Sequence, residues 1–290
     1  MNAISQRAGW LIAAALGVFV VASMAGVVRG GPLDPSGTPG PTLPQAEPRI
    51  PISALPFPIS TPGSYFLTKT LHAAPAQAAI TITADDVTLD LNGFALLGDS
   101  EPVDAISVAA VARVSVANGT IAHWGGIGVN AGAATSGRYE RLHLESNTGG
   151  GIVTGASSVI ASLIVKANGG NGIAVNAGAG SGIGSVRDSV VEGSVLDDIQ
   201  VTNNVVVENN KVYNSGVDGI HVLGTGNRID GNTIVRQGLS AIRVEGFNNL
   251  IVRNAVRGTE SDIIVGPSNT KGQTETAGTP LTNTWANIVY

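Results

Sequence analysis

One short phrase recurs along most of the chain and constrains its fold more than any other feature. The phrase is an isoleucine, then any residue, then a second residue that is apolar in most copies. The nine leading isoleucines are Ile80, Ile106, Ile127, Ile152, Ile173, Ile199, Ile220, Ile242 and Ile263. Successive members lie 26, 21, 25, 21, 26, 21, 22 and 21 residues apart. A period in the twenties indicates a solenoid, in which each repeat buries its apolar face against its neighbours.

Each repeat is predicted to consist of short strands. The alternation within a copy has period two, which is typical of a strand with one buried face. A second apolar segment follows in most copies, as at Val87–Leu91 and Val205–Val207, and short Gly and Asn phrases separate the segments. The leucine-rich consensus is absent, and no alanine-rich helical stretch follows residue 80. These features predict an all-β fold, a parallel β-helix of about nine coils with N- and C-terminal caps.

Three asparagines share the period of the repeat. Asn210, Asn232 and Asn254 are spaced 22 residues apart. Residues in register on successive coils lie one above the other, and an amide side chain there can bond to the backbone of its neighbours. We therefore expect an asparagine ladder along the stack.

Composition divides the chain into five segments. Residues 1–28 carry one positive charge and then an uncharged, mostly apolar run, which predicts a cleaved signal peptide or an uncleaved membrane anchor. Residues 29–50 are rich in Pro and Gly and predict an extended linker. The N-terminal cap is assigned to residues 51–78, the parallel β-helix to 79–265 and the C-terminal capping tail to 266–290.

Charge and cysteine content exclude several classes of function. The net charge of −5 argues against binding to a phosphate backbone, so no nucleic-acid partner is expected. The chain has no cysteine, which removes disulfides, thiolate zinc sites and cysteine nucleophiles. We expect a secreted, periplasmic or cell-surface protein that contacts a membrane only through residues 10–28, and only if the signal is not cleaved.

Several motifs together resemble a known family. They are Pro62–Thr68, Val87–Phe94, Asn118–Gly125, Asn249–Asn254 and Trp285–Tyr290. They are similar to segments of exported bacterial right-handed parallel β-helix repeat proteins, and the resemblance covers roughly residues 47–290. It implies the single-stranded right-handed β-helix known as the pectin-lyase-like fold. Proteins of known activity on that fold mostly cleave, epimerise or bind polysaccharides, so a polysaccharide or cell-surface glycan is the expected partner.

The residue after each leading isoleucine is expected to point outward. That column comprises Thr81, Ser107, Gly128, Val153, Ala174, Gln200, His221, Arg243 and Ile264. Its members on the earlier coils are small, whereas the larger polar residues Gln200, His221 and Arg243 fall on coils six to eight. There, Asp197, Asp198, Thr202, Asp218 and Glu245 are expected to face outward beside them. Acids beside an arginine can bind a sugar acid or a cation, and a histidine or arginine can take the C5 proton of a uronate.

These residues define the candidate site. We assign His221, Arg243 and Asp218 as catalytic in a uronate lyase or epimerase, and Gln200, Asp198, Glu245 and Trp124 as substrate-binding, with Trp124 as a sugar-stacking ring. No metal ligands and no cofactor are assigned, although calcium remains an option. The alternative is a non-catalytic structural or glycan-binding β-helix, whose polar face would be an ordinary solvated surface with weak ion pairs. The sequence leaves open whether the protein is an enzyme.

Overall fold

The structure is a computed structural model that describes residues 49–73, 77–178, 180–258, 261–276 and 283–290. The predicted signal peptide or anchor and nearly all of the predicted linker lie outside the described residues. The part of the chain that is described contains strands and turns and no helix. It accordingly offers no helix long and apolar enough to cross a membrane.

Thirty short strands account for the regular structure. In chain order they are β1 (Ile50–Ile52), β2 (Phe57–Ile59), β3 (Gly63–Leu67), β4 (Leu71–His72), β5 (Ile80–Ile82), β6 (Val87–Asp90), β7 (Ala95–Leu97), β8 (Ile106–Val108), β9 (Ser115–Ala122), β10 (Ile127–Ala131), β11 (Arg138–Glu145), β12 (Gly150–Thr154), β13 (Val159–Ala161), β14 (Ile164–Lys166), β15 (Ile173–Val175), β16 (Gly184–Arg187), β17 (Val190–Glu192), β18 (Ile199–Val201), β19 (Val205–Glu208), β20 (Lys211–Tyr213), β21 (Ile220–Val222), β22 (Arg228–Asp230), β23 (Thr233–Val235), β24 (Ser240–Val244), β25 (Leu250–Val252), β26 (Ala255–Arg257), β27 (Ser261–Val265), β28 (Thr270–Lys271), β29 (Thr274–Thr276) and β30 (Asn287–Val289).

The strands form two sheets of in-register coils. The first sheet has ten strands in the order β2-β5-β8-β10-β12-β15-β18-β21-β24-β27, so each coil contributes one strand. The other twenty strands form the second sheet, to which a coil such as β18 to β20 contributes two strands. Neighbours pair in parallel, for example Ile199 with Ile220 and Ile220 with Ile242. The fold is the predicted all-β right-handed parallel β-helix of about nine coils.

The ten-stranded sheet begins before the first copy of the repeated phrase. β2, inside the segment predicted as the N-terminal cap, pairs with β5 through Phe57–Ile80 and Ile59–Ile82. At the other end, β30 pairs with both β26 and β29 of the twenty-stranded sheet. Both predicted capping segments therefore contribute strands to the stack.

The core is a continuous column of branched aliphatic side chains. Most copies of the phrase bury their first and third residues, as Ile80 and Ile82 do in β5 and Ile199 and Val201 do in β18. Burial of apolar surface of this kind contributes about 25 cal/mol per Å².

One predicted register, that of β10, is wrong. In β10 the residue paired with Ile106 is Val129, not Ile127, so Asn130 rather than Gly128 occupies the outward column.

The predicted asparagine ladder is confirmed. The side-chain oxygen of Asn232 accepts hydrogen bonds from the backbone N and the Nδ2 of Asn210, both at 3.0 Å. The side-chain oxygen of Asn254 in turn accepts hydrogen bonds from the backbone N and the Nδ2 of Asn232, both at 3.0 Å. The ladder continues into the C-terminal segment, where Asn287 accepts from Asn254 at 3.1 and 3.0 Å. A second ladder joins Asn227, Asn249 and Asn269. These buried amides satisfy the backbone groups that the turns leave without strand partners.

Glycines allow the turns of successive coils to approach closely. Gly238 follows β23, and its N–H donates to the Ser215 carbonyl one coil away at 3.0 Å. A Cβ added at Gly238 would overlap the carbonyl oxygen of Gly216. The φ angle of Gly238 is not in the left-handed region, so the requirement for glycine here is one of space.

Candidate functional site

Three polar side chains lie in register on the outer surface of the ten-stranded sheet. Gln200 of β18 pairs with His221 of β21, and His221 pairs with Arg243 of β24. Parallel neighbours lie about 4.8 Å apart, so the three form one row across three coils. Glu245 follows β24 and is exposed. We call Gln200, His221, Arg243 and Glu245 the His221 face.

Asp197 holds two members of this face in place. Its Oδ2 lies 2.9 Å from the Nδ1 of His221 and accepts a hydrogen bond from the Nε2 of Gln200 at 3.2 Å. Its Oδ1 accepts from the backbone N–H of Asp218 at 3.1 Å. The carboxylate is buried, so its charge is little screened by water. The arrangement fixes the ring orientation of His221 and directs its Nε2 away from Asp197.

The acidic residues before β18 and β21 belong to a ladder in the turns. Asn171 Oδ1 accepts from the N–H of Asp197, and Asp218 Oδ1 accepts from the N–H of Ser240 at 3.0 Å. Asn171, Asp197, Asp218 and Ser240 thus hold the same position on four successive coils. The second carboxylate oxygen of Asp218 is buried without a hydrogen-bond partner and lies 3.8 Å from NH1 of Arg243.

The predicted outward orientation of Asp197, Asp198 and Asp218 is wrong, because the turn interrupts the alternation of the strands. These three residues are 4%, 0% and 0% exposed. Asp198 lies beside Gly172 on the neighbouring coil, where a Cβ would meet the Asp198 carbonyl oxygen at 2.6 Å. Neither Asp198 nor Asp218 can contact a polymer on the surface directly. Asp218 instead lies 3.8 Å from Nη1 of Arg243, and Asp198 accepts a hydrogen bond from the backbone N–H of Ser194 at 3.1 Å.

Arg243 and Glu245 are the most accessible charged groups of the face. Nε of Arg243 lies 3.1 Å from Oε1 of Glu245, and the two side chains are 40% and 46% exposed. The same carboxylate oxygen is 3.4 Å from Nε2 of His221, without the alignment of a hydrogen bond. Nε2 of His221 therefore has no hydrogen-bond partner, and it is buried beside the exposed side chains of Glu245 and Arg243, so a substrate reaches it only when the Glu245 side chain moves aside.

Burial and hydrogen bonding shift two pKa values at the site. The hydrogen bond with Asp197 raises the pKa of His221 above its ordinary value of 6.5, and this effect outweighs the burial of the ring. Burial raises the pKa of Asp198 to about 7, with a further contribution from the negative charge of Asp197. The hydrogen bond from the backbone N–H of Ser194, at 3.1 Å, offsets this only in part.

The raised pKa of Asp198 predicts a dependence of stability on pH. Its folded pKa of about 7 exceeds its ordinary value of 3.8. The carboxyl is therefore protonated in the folded protein at mildly acidic pH, and stability falls as the pH rises from about 4 to about 7 and levels off above that. Asp198→Asn should be more stable than the unmodified protein above pH 7, by on the order of 3 kcal/mol, and equal to it near pH 4.

Urea denaturation between pH 4 and 8 measures this difference. Asp188→Asn is the matched control, because Asp188 is half exposed and pairs with the exposed Arg187 at 3.1 Å. An Asp198→Asn variant less stable than the unmodified protein at pH 8 would contradict the assignment of a buried, protonated carboxyl.

The site fits a calcium ion poorly. Ligand atoms of Asp197, Asp218 and His221 lie within 4.8 Å of one another. Calcium takes about six to eight oxygen ligands. Both oxygens of Asp197 already accept hydrogen bonds, one member of the set offers nitrogen, and Asp218 alone offers an unbonded oxygen. No step is therefore assigned to calcium.

Trp124 is not part of the face. The ring is 1% exposed, and its Nε1 donates to the carbonyl of Leu96 at 3.2 Å. A ring buried to this extent has no side open to a sugar, so the predicted stacking role is wrong. The sequence analysis did not predict that Asp197 orients His221. The available signal was its position: Asp197 stands two residues before a leading isoleucine, as Asp218 does.

Comparisons with known proteins show the fold. No protein-family model and no curated protein sequence matches the chain. Among solved structures, the A-module of mannuronan C-5 epimerase AlgE4 from Azotobacter vinelandii matches with a TM-score of 0.53 and 13% identity, covering 83% of this chain and 88% of that one. The Dettilon tailspike protein matches with a TM-score of 0.54 and 16% identity, covering 83% of this chain and 61% of that one. At these identities the likeness concerns architecture alone, and the chain has the right-handed parallel β-helix fold.

Proposed function

We propose that this protein is exported and binds an acidic polysaccharide across the His221 face, where it transfers a proton at C5 of a uronate residue. The reaction would be elimination or epimerisation. One structural relative is a mannuronan C-5 epimerase by name, which supports a uronate polymer as the class of ligand. The predicted signal segment supports an extracellular or periplasmic site of action.

The observation that carries the proposal is the pairing of His221 with Asp197. A buried carboxylate at 2.9 Å from Nδ1 favours the tautomer that carries its proton on Nδ1. The lone pair is then on Nε2, the nitrogen that has no hydrogen-bond partner. Orientation by a buried acid and a second nitrogen without a hydrogen-bond partner are the features of a general base, and the exposed Glu245 side chain is the group that must move for a substrate to reach this nitrogen.

Arg243 supplies the complementary charge. Its guanidinium is partly exposed and lies on the coil next to His221, so it can bind the carboxylate of a uronate beside the imidazole. Neutralising that carboxylate favours removal of the neighbouring C5 proton, because negative charge develops on the carboxylate as the proton leaves. Gln200, fixed by Asp197, offers polar atoms to a sugar on the opposite side of His221.

Elimination and epimerisation begin with the same proton transfer and differ in the step that follows it. Nε2 of His221 takes the C5 proton and becomes the imidazolium. In elimination, the bond from C4 to the glycosidic oxygen breaks, a C4–C5 double bond forms and the leaving oxygen takes the proton from the imidazolium. In epimerisation, water donates a proton to the opposite face of C5, the resulting hydroxide takes the proton of the imidazolium and the chain stays intact.

A non-catalytic glycan-binding β-helix is the second candidate. It is favoured by the rest of the outward column, where Thr81, Ser107, Val153 and Ala174 occupy the coils before Gln200 and bring no charge. On that view Arg243 and His221 would bind an acidic polymer without changing it.

Incubation with a panel of uronate polymers tests both candidates. Elimination is followed by the ultraviolet absorbance of the unsaturated product, epimerisation by proton NMR and binding by calorimetry. Binding should weaken about tenfold or more in Arg243→Gln, because a charge-assisted hydrogen bond contributes about 1.5–3 kcal/mol. Product formation should be lost in His221→Gln, and its rate should rise with pH through a value above 6.5, since the base must be deprotonated.

The matched control is Arg187→Gln, which removes an exposed, ion-paired arginine of the other sheet. Binding without product on every polymer would favour the second candidate. Absence of binding to all of them, or equal binding by Arg243→Gln and the unmodified protein, would contradict the proposal.

A further inference from the structure

A cavity lies on the twenty-stranded sheet, on strands other than those of the His221 face. Its volume is about 390 Å³, and Tyr213, Val235, Arg236, Arg257 and Gly258 line it. This volume is near the lower end of the range of small-molecule pockets. The lining residues are the ends of β20, β23 and β26 and the turn residues that follow β23 and β26.

The cavity arises from side-chain size at one position of the repeat. Tyr213 pairs with Val235, and Val235 pairs with Arg257, so the three are in register on successive coils. Tyr213 and Arg257 are then about 10 Å apart, with the short Val235 as the floor between them. Gly258 lies at the edge of the cavity with a φ of +66°, a left-handed conformation that glycine adopts readily.

Neither arginine of the cavity has an acidic partner among the described residues. Ten arginines fall in the described ranges, and eight of them have a carboxylate oxygen within 4.0 Å. The other two, Arg236 and Arg257, have no carboxylate of the described residues within that distance, and both line this cavity. In a chain of net charge −5, two neighbouring unpaired guanidinium groups mark a local site for an anion.

Tyr213 adds a third donor. Its hydroxyl accepts a hydrogen bond from NH1 of Arg236 at 3.0 Å, and Arg236 also lies 5.9 Å from the centre of the ring. The hydroxyl proton has no acceptor among the described residues, so it is available to a ligand oxygen. Arg257 is positioned in turn by Tyr290, whose ring centre is 5.8 Å from the guanidinium carbon.

We infer that this cavity is a separate subsite for an acidic sugar, in which Arg236 and Arg257 bind the sugar's carboxylate and Tyr213 donates to one of its oxygens. Three donor groups, with no carboxylate of the described residues within 4.0 Å of either guanidinium, select an oxyanion over a neutral sugar or a cation. The inference rests on the proposed function, in that the ligand is a residue of the same class of acidic polysaccharide. It adds a second binding position, on a different sheet from the His221 face.

One titration separates the two positions. Protein labelled with ¹⁵N is titrated with trigalacturonate, a neutral trisaccharide and inorganic sulfate, and the arginine Nε–Hε signals are followed by NMR. Trigalacturonate should shift the signals of Arg236 and Arg257 to saturation, and the neutral sugar should not. The affinity read from these two signals should fall at least tenfold in Arg236→Gln and in Arg257→Gln. Tyr213→Phe should lower it several-fold, and Arg187→Gln should leave it unchanged.

Each other outcome has a defined meaning. If the Arg243 signal alone responds, the cavity is not a sugar subsite, and the proposed function stands. If Arg236 and Arg257 respond and Arg243 does not, the inference is supported and the His221 face fails as the binding site. Sulfate binding as tightly as trigalacturonate, or equal losses in Arg187→Gln and the cavity variants, would overturn the inference.

Discussion

Replacing Asn232 by leucine should lower the free energy of unfolding by about 4 kcal/mol. Leucine is close to asparagine in size, but it leaves the backbone N–H of Asn210 and one amide proton of Asn210 without their acceptor. The Val207 carbonyl also loses the donor that lies 2.9 Å away. Each buried polar group deprived of its partner costs about 1–3 kcal/mol, and these three groups lie in a dry core.

Urea denaturation followed by circular dichroism measures the effect of Asn232→Leu. Asn209→Gly is the control on the same turn, because Asn209 is exposed and has a φ of 56°, which glycine adopts readily. That variant should stay within about 0.5 kcal/mol of the unmodified protein. A loss below about 1 kcal/mol in Asn232→Leu would mean that water or a shifted coil satisfies the freed groups.

Gly238→Ala should destabilise the protein by about 3 kcal/mol, although it adds only one methyl group. The new Cβ would overlap the Gly216 carbonyl, and the atom it meets is backbone, which cannot rotate away. Relief requires the two turns to separate, which stretches the 3.0 Å hydrogen bond from the Gly238 N–H to Ser215. Separation would also move Ser240, the donor to Asp218, so binding at the His221 face should weaken as well.

A second glycine distinguishes lack of space from backbone strain. Gly93 has a φ of +78° and nothing within 4 Å of an added Cβ. Gly93→Ala therefore carries only the cost of a left-handed conformation, about 1–2 kcal/mol. Equal losses of unfolding free energy in Gly93→Ala and Gly238→Ala would contradict the steric explanation.

The repeated phrase was sufficient to predict the stack of coils, because the β-helix core depends on local alternation. Ile199, Ile220 and Ile242 fall in register as their spacing predicts, and the Asn210, Asn232 and Asn254 ladder follows from the same spacing. The assignment failed at Ile127, where alternation offers two equivalent apolar positions. Pairing with the neighbouring coil selects Val129, and the sequence of one coil alone does not contain that information.

The candidate site was predictable where it lies on strands and not where it lies in turns. Gln200, His221 and Arg243 form the expected row because strand geometry fixes their direction. Asp198 and Asp218 precede strands, and in a turn the side-chain direction depends on which nearby backbone N–H groups lack an acceptor: that of Ser194 in the same turn for Asp198, and that of Ser240 on the next coil for Asp218. The cavity at Arg236 and Arg257 was not predicted either, since it depends on the size of Val235 between two longer side chains.

The in-register pairing of the coils also affects the order in which the chain can fold. In the ten-stranded sheet, paired residues such as Ile173 and Ile199, or Ile220 and Ile242, are between 21 and 26 residues apart in sequence. No pairing in that sheet requires closure of a longer loop, so the entropy of bringing two coils together is similar everywhere along it. Folding can then begin at any adjacent pair of coils and extend one coil at a time in either direction. Slow amide hydrogen exchange should therefore be concentrated in the middle coils and decline toward both ends.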